Sequence, residues 1–247
     1  MRVAVVGGTG LVGRYTVETL GRAGHEPIVV ARSRGVDVTT GAGLDRALAG
    51  VEAVVDVTNT ADTDPTTTRE FFGNTTEHLL AAEQRTGVGH HVVLSIVGVD
   101  RVKGNGHYAG KRRQEERVRA GPVPATVLRA TQFHEFAGMV VAWTRRGDVA
   151  IVPPLLVQPV AASDVGRVLA EIATGSPQAR APDLAGPELQ DLVDMARRTL
   201  AARGESVRLV PSWRDGPFGV EMAGEVLLPG PGAWLAPTTF DAWLAKV

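Results

Sequence analysis

A chain of 247 residues, 44% hydrophobic and 21% charged, has the composition of a soluble globular protein and the length for one large α/β domain, or a core with a small appendage. A formal net charge of −1 removes any general electrostatic reason to expect a nucleic-acid or anionic-membrane partner, and the absence of cysteine excludes disulfides, thiol nucleophiles and cysteine-ligated metals. The N-terminus runs directly into an apolar, glycine-punctuated stretch with no signal core, and no apolar run is long enough to span a bilayer, so a cytoplasmic protein is expected. The excess of arginine over lysine, 23 to 3, reads as compositional bias.

The first half alternates between two hydrophobic periods. "VAVVGG" reads as a buried strand, "LVGRYTVETLGRAG" as a helix, "EPIVVARS" as a second strand and "GLDRALAG" as a short helix. "EAVVDVTN" reads as a third strand. "PTTTREFFGNTTEHLLAAEQRTGV" reads as a long amphipathic helix with Pro65 near its start, and "HHVVLSIVG" as a fourth strand. "AGKRRQEERVRAG" follows as a helix and "ATVLRAT" as a fifth strand. Strands alternating with helices predict right-handed crossovers and a parallel sheet, and the continuous apolar character of the strands predicts burial on both faces. Past residue 131 the rhythm loosens. A helix is expected in "QFHEFAGMVVAWTRRG", and another in "VAASDVGRVLAEIATG", capped by Ser163 or Asp164. A further helix is expected in "PELQDLVDMARRTLAARG" with Pro187 and Glu188 near its start, then a strand in "SVRLVPSW" and a last short helix.

Glycines at 7, 10 and 13 fall between the first strand and the first helix, in "VAVVGGTGLVGR". One glycine permits a tight turn, one lets backbone approach a pyrophosphate, and the last permits close helix–strand packing, while the helix N-terminus attracts phosphate charge. This context predicts a dinucleotide held by Gly7, Thr9, Gly10, Leu11, Val12 and Gly13. The second strand ends "VVARSRG", with Arg32 where an acid would favour NAD. Arg32 and Arg34, with Arg14 nearby, suit a 2′-phosphate, so NADP(H) is the expected cofactor. Asp37 is placed either at the adenine edge or in a turn.

These stretches, with "LSIVGVD", "HYAGKRRQEE", "LRATQFHEF" and "VAASDVGRVLAEI", resemble the atypical short-chain dehydrogenase/reductases, specifically the NmrA-like branch of NAD(P)H-binding proteins. That branch includes quinone reductases, triphenylmethane-dye reductases and redox sensors that bind cofactor without turnover. The resemblance implies an α/β fold: a Rossmann-type, doubly wound parallel sheet over 1–131, with a small substrate lobe over 132–247 interleaved with it. It implies that Thr58 and Asn59 lie along the cofactor and that Ser95 borders the nicotinamide. It implies that Lys111 holds the nicotinamide ribose and that Phe133, His134 and Phe136 face the substrate.

In the orthodox reductases a tyrosine acid stands four residues before the lysine. Here Tyr108 and Lys111 are three apart, and His107 occupies the usual tyrosine slot. Three readings stand: His107 donates the proton, Tyr108 donates it from a shifted position, or neither acts and the acceptor takes protons from water. The third ranks first. The run "KRRQEER" otherwise reads as a charged outer face with pairs such as Arg112–Glu116. Adjacent His90 and His91 point to opposite faces of a strand, and "FHEF" lacks a third ligand, so no metal is expected. No G-x-S-x-G elbow is present, and the aromatic residues read as packing. The expected function is NADPH-dependent reduction of a small conjugated or aromatic substrate such as a quinone, with a homodimer left open. The alternative is a redox sensor or regulatory protein that binds NADP(H) without turnover. A nucleotide-sugar epimerase or dehydratase ranks third, because the lobe is short and Tyr-x-x-x-Lys is missing.

Overall fold

A computed structural model describes residues 1–247 apart from 215 and 217. The core is a parallel sheet built from β1 (Arg2–Val6), α1 (Leu11–Arg22), β2 (Glu26–Val30), α2 (Leu44–Leu48), β3 (Ala53–Asp56), α3 (Pro65–Thr86), β4 (His90–Ile96), α4 (Gly106–Ala120) and β5 (Ala125–Ala130). Its central strand order is β2-β1-β3-β4-β5, every pair parallel. The order reverses between β1 and β3, so the crevice beyond their carboxyl ends is where such a sheet takes a ligand. Alternating side chains of β1 feed both faces. Val3 and Val5 join a cluster with Leu20 of α1, and Ala4 and Val6 join one with Leu44, Leu48 and Leu79 of α2 and α3.

The second half opens with α5 (Phe136–Thr144), β6 (Val149–Val152), β7 (Leu156–Val157) and α6 (Ala162–Ala173). It continues with β8 (Ala179–Arg180), β9 (Leu184–Ala185), β10 (Gln190–Asp191), α7 (Leu192–Ala202), β11 (Arg208–Pro211), β12 (Trp234–Leu235) and α8 (Phe240–Leu244). Part of it completes the core: α6 packs beside α1 over the first cluster, while β8, β9 and β12 extend the main sheet past β5. The rest forms a lobe in which α5, α7 and α8 surround an apolar cluster around Val140, Met195 and Phe240, with β6 pairing β11 and β7 pairing β10. No helix among the described residues is long and apolar enough to cross a membrane.

Several local expectations are corrected. Helix α6 begins after Ala161 with no side-chain cap, because Asp164 faces inward and accepts from the Thr238 N–H at 3.2 Å. Helix α7 starts only at Leu192, capped by Asp191, since residues 190–191 are held in β10. Strand β2 stops at Val30, and Arg32–Arg34 form a 3-10 turn. The long helix α3 keeps Pro65 as its first residue, with Asp64 accepting from the Thr66 and Thr67 N–H groups.

Candidate active site

The loop from Gly7 to Gly13 is shaped by backbone rather than side chains. Gly7 has φ of +82°, a left-handed conformation, and donates its N–H to the Val30 carbonyl at 3.0 Å. Gly10 donates to the Gly7 carbonyl at 2.9 Å, closing the turn. A Cβ on Gly13 would stand 2.2 Å from the Gly7 oxygen, so only glycine lets α1 come this close to β1. The N-cap of α1 is Gly10, which offers no side chain to the first N–H groups of the helix. Thr9 and Gly10 are exposed, Leu11 is half-buried and Val12 is part of the core. An uncapped N-terminus beside a cradle that a Cβ would fill fits the pyrophosphate of a dinucleotide.

Arg32 and Arg34 are exposed on the turn after β2, at the same end of the sheet, and Arg14 is exposed on α1. Asp37 closes a turn: its Oδ1 accepts from the Thr39 N–H at 2.9 Å and the Thr39 hydroxyl at 2.7 Å, which holds its carboxyl below the usual range. Asn59 is exposed and its Oδ1 accepts from the Thr60 N–H at 2.9 Å.

The first turns of α4 differ from a charged outer face. Lys111, Gln114, Glu115 and Val118 follow helical spacing and are all buried. A Cβ on Gly110 would lie 2.5 Å from Phe72, so α4 sits tightly on α3 and carries Lys111 inward. Lys111 Nζ donates to the Thr58 carbonyl at 3.2 Å, the Leu94 carbonyl at 3.0 Å and Gln114 Oε1 at 2.8 Å, and lies 4.6 Å from the Phe72 ring centre. All three ammonium protons are thus held by the protein, and a ribose contact would replace one of them. Burial lowers the lysine to about 8, against the opposing pull of Asp56 and Glu115. Glu115 is clamped by Arg129, with bonds of 2.8 and 2.7 Å, and Asp100 also pairs with Arg129 at 2.6 Å. The expected Arg112–Glu116 pair does not form. Arg112 instead donates to the Val99 and Val102 carbonyls, and Arg113 pairs with Glu116.

Tyr108 is 5% exposed, and its hydroxyl accepts from Gln132 Nε2 at 3.2 Å. Burial pushes the phenol well above its ordinary range. His107 is half-buried, its ring 5.7 Å from that of Phe72 in an edge-on contact. Burial, with the nearby Lys111 charge, lowers it to about 4, so its ring is uncharged at neutral pH. Ser95 is buried on the sheet face covered by α4, in register with Arg129, and its hydroxyl makes no hydrogen bond among the described residues.

The substrate trio does not share one face. Phe133 packs against the α1–α6 side of the sheet, and Phe136 joins Trp143 and Phe218 in the lobe, with centroid distances of 6.2 and 5.5 Å. His134 is 1% exposed, bonded to the Thr238 carbonyl at 3.1 Å and packed on Phe240 and Trp243. The loop after β5 therefore divides these side chains between two environments, Phe133 on the α1–α6 side of the sheet and His134 and Phe136 in the lobe. A groove of about 350 Å³ lined by Arg69, Arg113 and Arg117 lies on the outside of α3 and α4, away from the ends of the strands. Asp56, Gln114 and Gln132, which bond within this cluster, are given no role by any motif in the sequence. Asp56, a carboxylate closing an otherwise apolar strand, was the one local signal.

A parallel sheet with a glycine cradle at its switch point is a Rossmann-like dinucleotide-binding frame, and the family and a named reductase relative make the protein an NAD(P)-binding enzyme of the oxidoreductase type. The chain belongs to the NAD dependent epimerase/dehydratase family, whose model matches residues 3–173. A (4-alkanoyl-5-oxo-2,5-dihydrofuran-3-yl)methyl phosphate reductase from Streptomyces griseus is 34% identical over 210 residues, covering 75% of this chain and 68% of the relative. Among solved structures, MoeE5 in complex with UDP-glucuronic acid and NAD superposes with a TM-score of 0.75 at 18% identity, over 99% of this chain and 97% of that one. A short-chain dehydrogenase/reductase superfamily protein from Agrobacterium tumefaciens with bound NAD gives 0.71 at 17% identity, over 100% and 95% of the two chains. These likenesses bear out the α/β fold with its parallel, Rossmann-like sheet. The family match, by contrast, names the epimerase and dehydratase class that ranks third on the sequence.

Proposed function

We propose that the protein is an NADPH-dependent reductase of a small conjugated acceptor, one that needs no proton from a protein side chain. The carrying observation is the state of the two candidate acids. Tyr108 is buried, engaged by Gln132 and pushed up, while His107 is held to about 4 and uncharged at neutrality. Neither is poised to protonate a carbonyl oxygen near pH 7. A bound nicotinamide cofactor supplies hydride. The glycine cradle and the α1 N-terminus bind its pyrophosphate, the Thr58–Asn59 backbone and Lys111 border its ribose, and Arg32 and Arg34 receive a 2′-phosphate. The acceptor's own carbonyls carry the displaced electron pair, and water returns the proton.

The Streptomyces griseus relative supports this substrate class. The substrate in that relative's name carries a ring double bond conjugated with both a ring carbonyl and an acyl carbonyl. An acyl-substituted unsaturated lactone therefore heads the candidate substrates, ahead of quinones. The "LRATQFHEF" block supports placement in the NmrA-like branch. The test is NADPH oxidation by the purified chain against unsaturated lactones, enones, quinones and saturated ketones. Turnover of the conjugated set alone is expected. Reduction of saturated ketones at equal rates, or no turnover of any conjugated acceptor, would overturn the proposal.

A further inference from the structure

Beneath the cofactor end of β3 lies a closed polar circuit. Asp56 is fully buried, its Oδ1 accepting from the Thr58 N–H at 2.8 Å and its Oδ2 accepting from Gln114 Nε2 at 2.8 Å. Gln114, also fully buried, turns its Oε1 to Lys111 Nζ, which in turn donates to the Thr58 carbonyl. The amide has one orientation available, because the ammonium only donates and the carboxylate only accepts. Buried charges persist when every lone pair and proton is matched, and this ring matches them across β3 and α4.

We propose that Asp56 and Gln114 are positioning residues of the cofactor site: through Lys111 they fix the Thr58–Asn59 backbone at the carboxyl end of β3. This rests on the cofactor reading above. Three acceptors face Lys111 Nζ, and only the charged ammonium has three protons to give; a neutral amine leaves one acceptor empty. The charge is therefore part of the geometry. Around it stand Asp56 of β3, Glu115 and His107 of α4, the Phe72 ring of α3 and the Leu94 carbonyl of β4. The His91–Glu83 pair between β4 and α3 couples to Asp56, and Arg129 of β5 is held by Glu115. Of these, Asp56 contributes most to holding Lys111 charged, ahead of Glu115.

The test is NADPH affinity of the full-length chain by fluorescence titration, from about pH 6.5 to about pH 9.5. Wild-type affinity is expected to fall as pH rises through about 8. Asp56→Asn removes the anion and leaves one acceptor oxygen for two donors, the Thr58 N–H and the Gln114 N–H. The alkaline limb should move down by about one unit or more, with roughly tenfold weaker binding at pH 7. Gln114→Leu should do the same. Gln114→Glu keeps an acceptor for Lys111 and, by sharing one proton with Asp56, a donor for its Oδ2, so it should hold the limb near the wild-type pH and recover most of the affinity. Wild-type binding by Asp56→Asn and Gln114→Leu overturns the proposal. So does weakening that is equal at every pH, which would mark a merely structural role. If Asp56→Asn does not fold, the two Gln114 variants decide. A wild-type chain that binds no dinucleotide overturns both readings, whereas wild-type binding with an unmoved limb in the variants overturns this one alone.

Discussion

The glycine loop after β1 and the first turns of α4 stand at the same end of the sheet and are built in opposite ways. The loop is open: its backbone is bent by Gly7, its helix N-terminus has no side-chain cap, and Thr9 and Gly10 face outward. The α4 turns are closed: Lys111, Gln114 and Asp56 spend their polar groups on one another and on backbone carbonyls. An open donor set binds an arriving anion. A closed one holds the ground on which binding happens, and loses function when its charge balance changes rather than when one contact goes. The first kind of site is governed by shape, the second by charge.

The contrast can be broken most severely in the loop. Gly13→Val puts a Cβ where the Gly7 oxygen stands, and is expected to weaken NADPH binding by about 100-fold, near the upper end of overpacking costs at ~3 kcal/mol. Calorimetric titration checks this; binding within threefold of wild type would mean the loop does not carry the pyrophosphate. Gly110→Ala should act on the fold instead. The added methyl meets Phe72 and the Thr68 carbonyl, with a cost of about 1–3 kcal/mol and a melting temperature lower by roughly 3–10 °C. An unchanged melting curve would show that α3 and α4 can separate. Arg32→Ala with Arg34→Ala should reduce preference for NADPH over NADH about tenfold, leave NADH affinity unchanged, and flatten the salt dependence of NADPH binding. The smallest effect is expected from Tyr108→Phe: steady-state rate at neutral pH within about twofold, and stability lower by ~1 kcal/mol as Gln132 loses its acceptor. A hundredfold loss of rate would make Tyr108 the acid and end the solvent-proton reading.

The open half of the site is legible in the local sequence, whereas in the closed half the resemblance points to Thr58 and Lys111 and nothing points to Asp56 and Gln114, for a physical reason. A left-handed turn and a close helix–strand approach demand glycine at fixed local spacing, so Gly7, Gly10 and Gly13 announce themselves. The burial of Lys111, Gln114 and Glu115 depends on partners brought in by the tertiary fold. Leu94 lies 17 residues from its lysine, Thr58 53 residues away, and Asp56 58 residues from Gln114. Without those partners the stretch has the composition of a solvated face, and only the family resemblance singles out Lys111 in it. The sheet was legible because β1, β3, β4 and β5 each carry a short apolar run rich in valine or leucine. The directions of Phe133, His134 and Phe136 were not, because a loop has no period from which to read a facing. The start of α7 was displaced for a related reason: pairing of β10 with β7 overrides local helix preference at residues 190–191.

Strands β9 and β12 give the chain an order of events. The outer side of β5 is closed by β8 and β9, and β9 is closed by β12 at residues 234–235. During synthesis the central strands leave the ribosome first; β5, ending at Ala130, waits with a bare edge until β8 begins at Ala179, and β9, ending at Ala185, waits in turn until β12 begins at Trp234. That interval is when a nascent copy can pair with its neighbour, and it shortens only if translation past β5 is fast. Slowing the codons between β5 and β12 should therefore lower the soluble yield without altering a single amino acid.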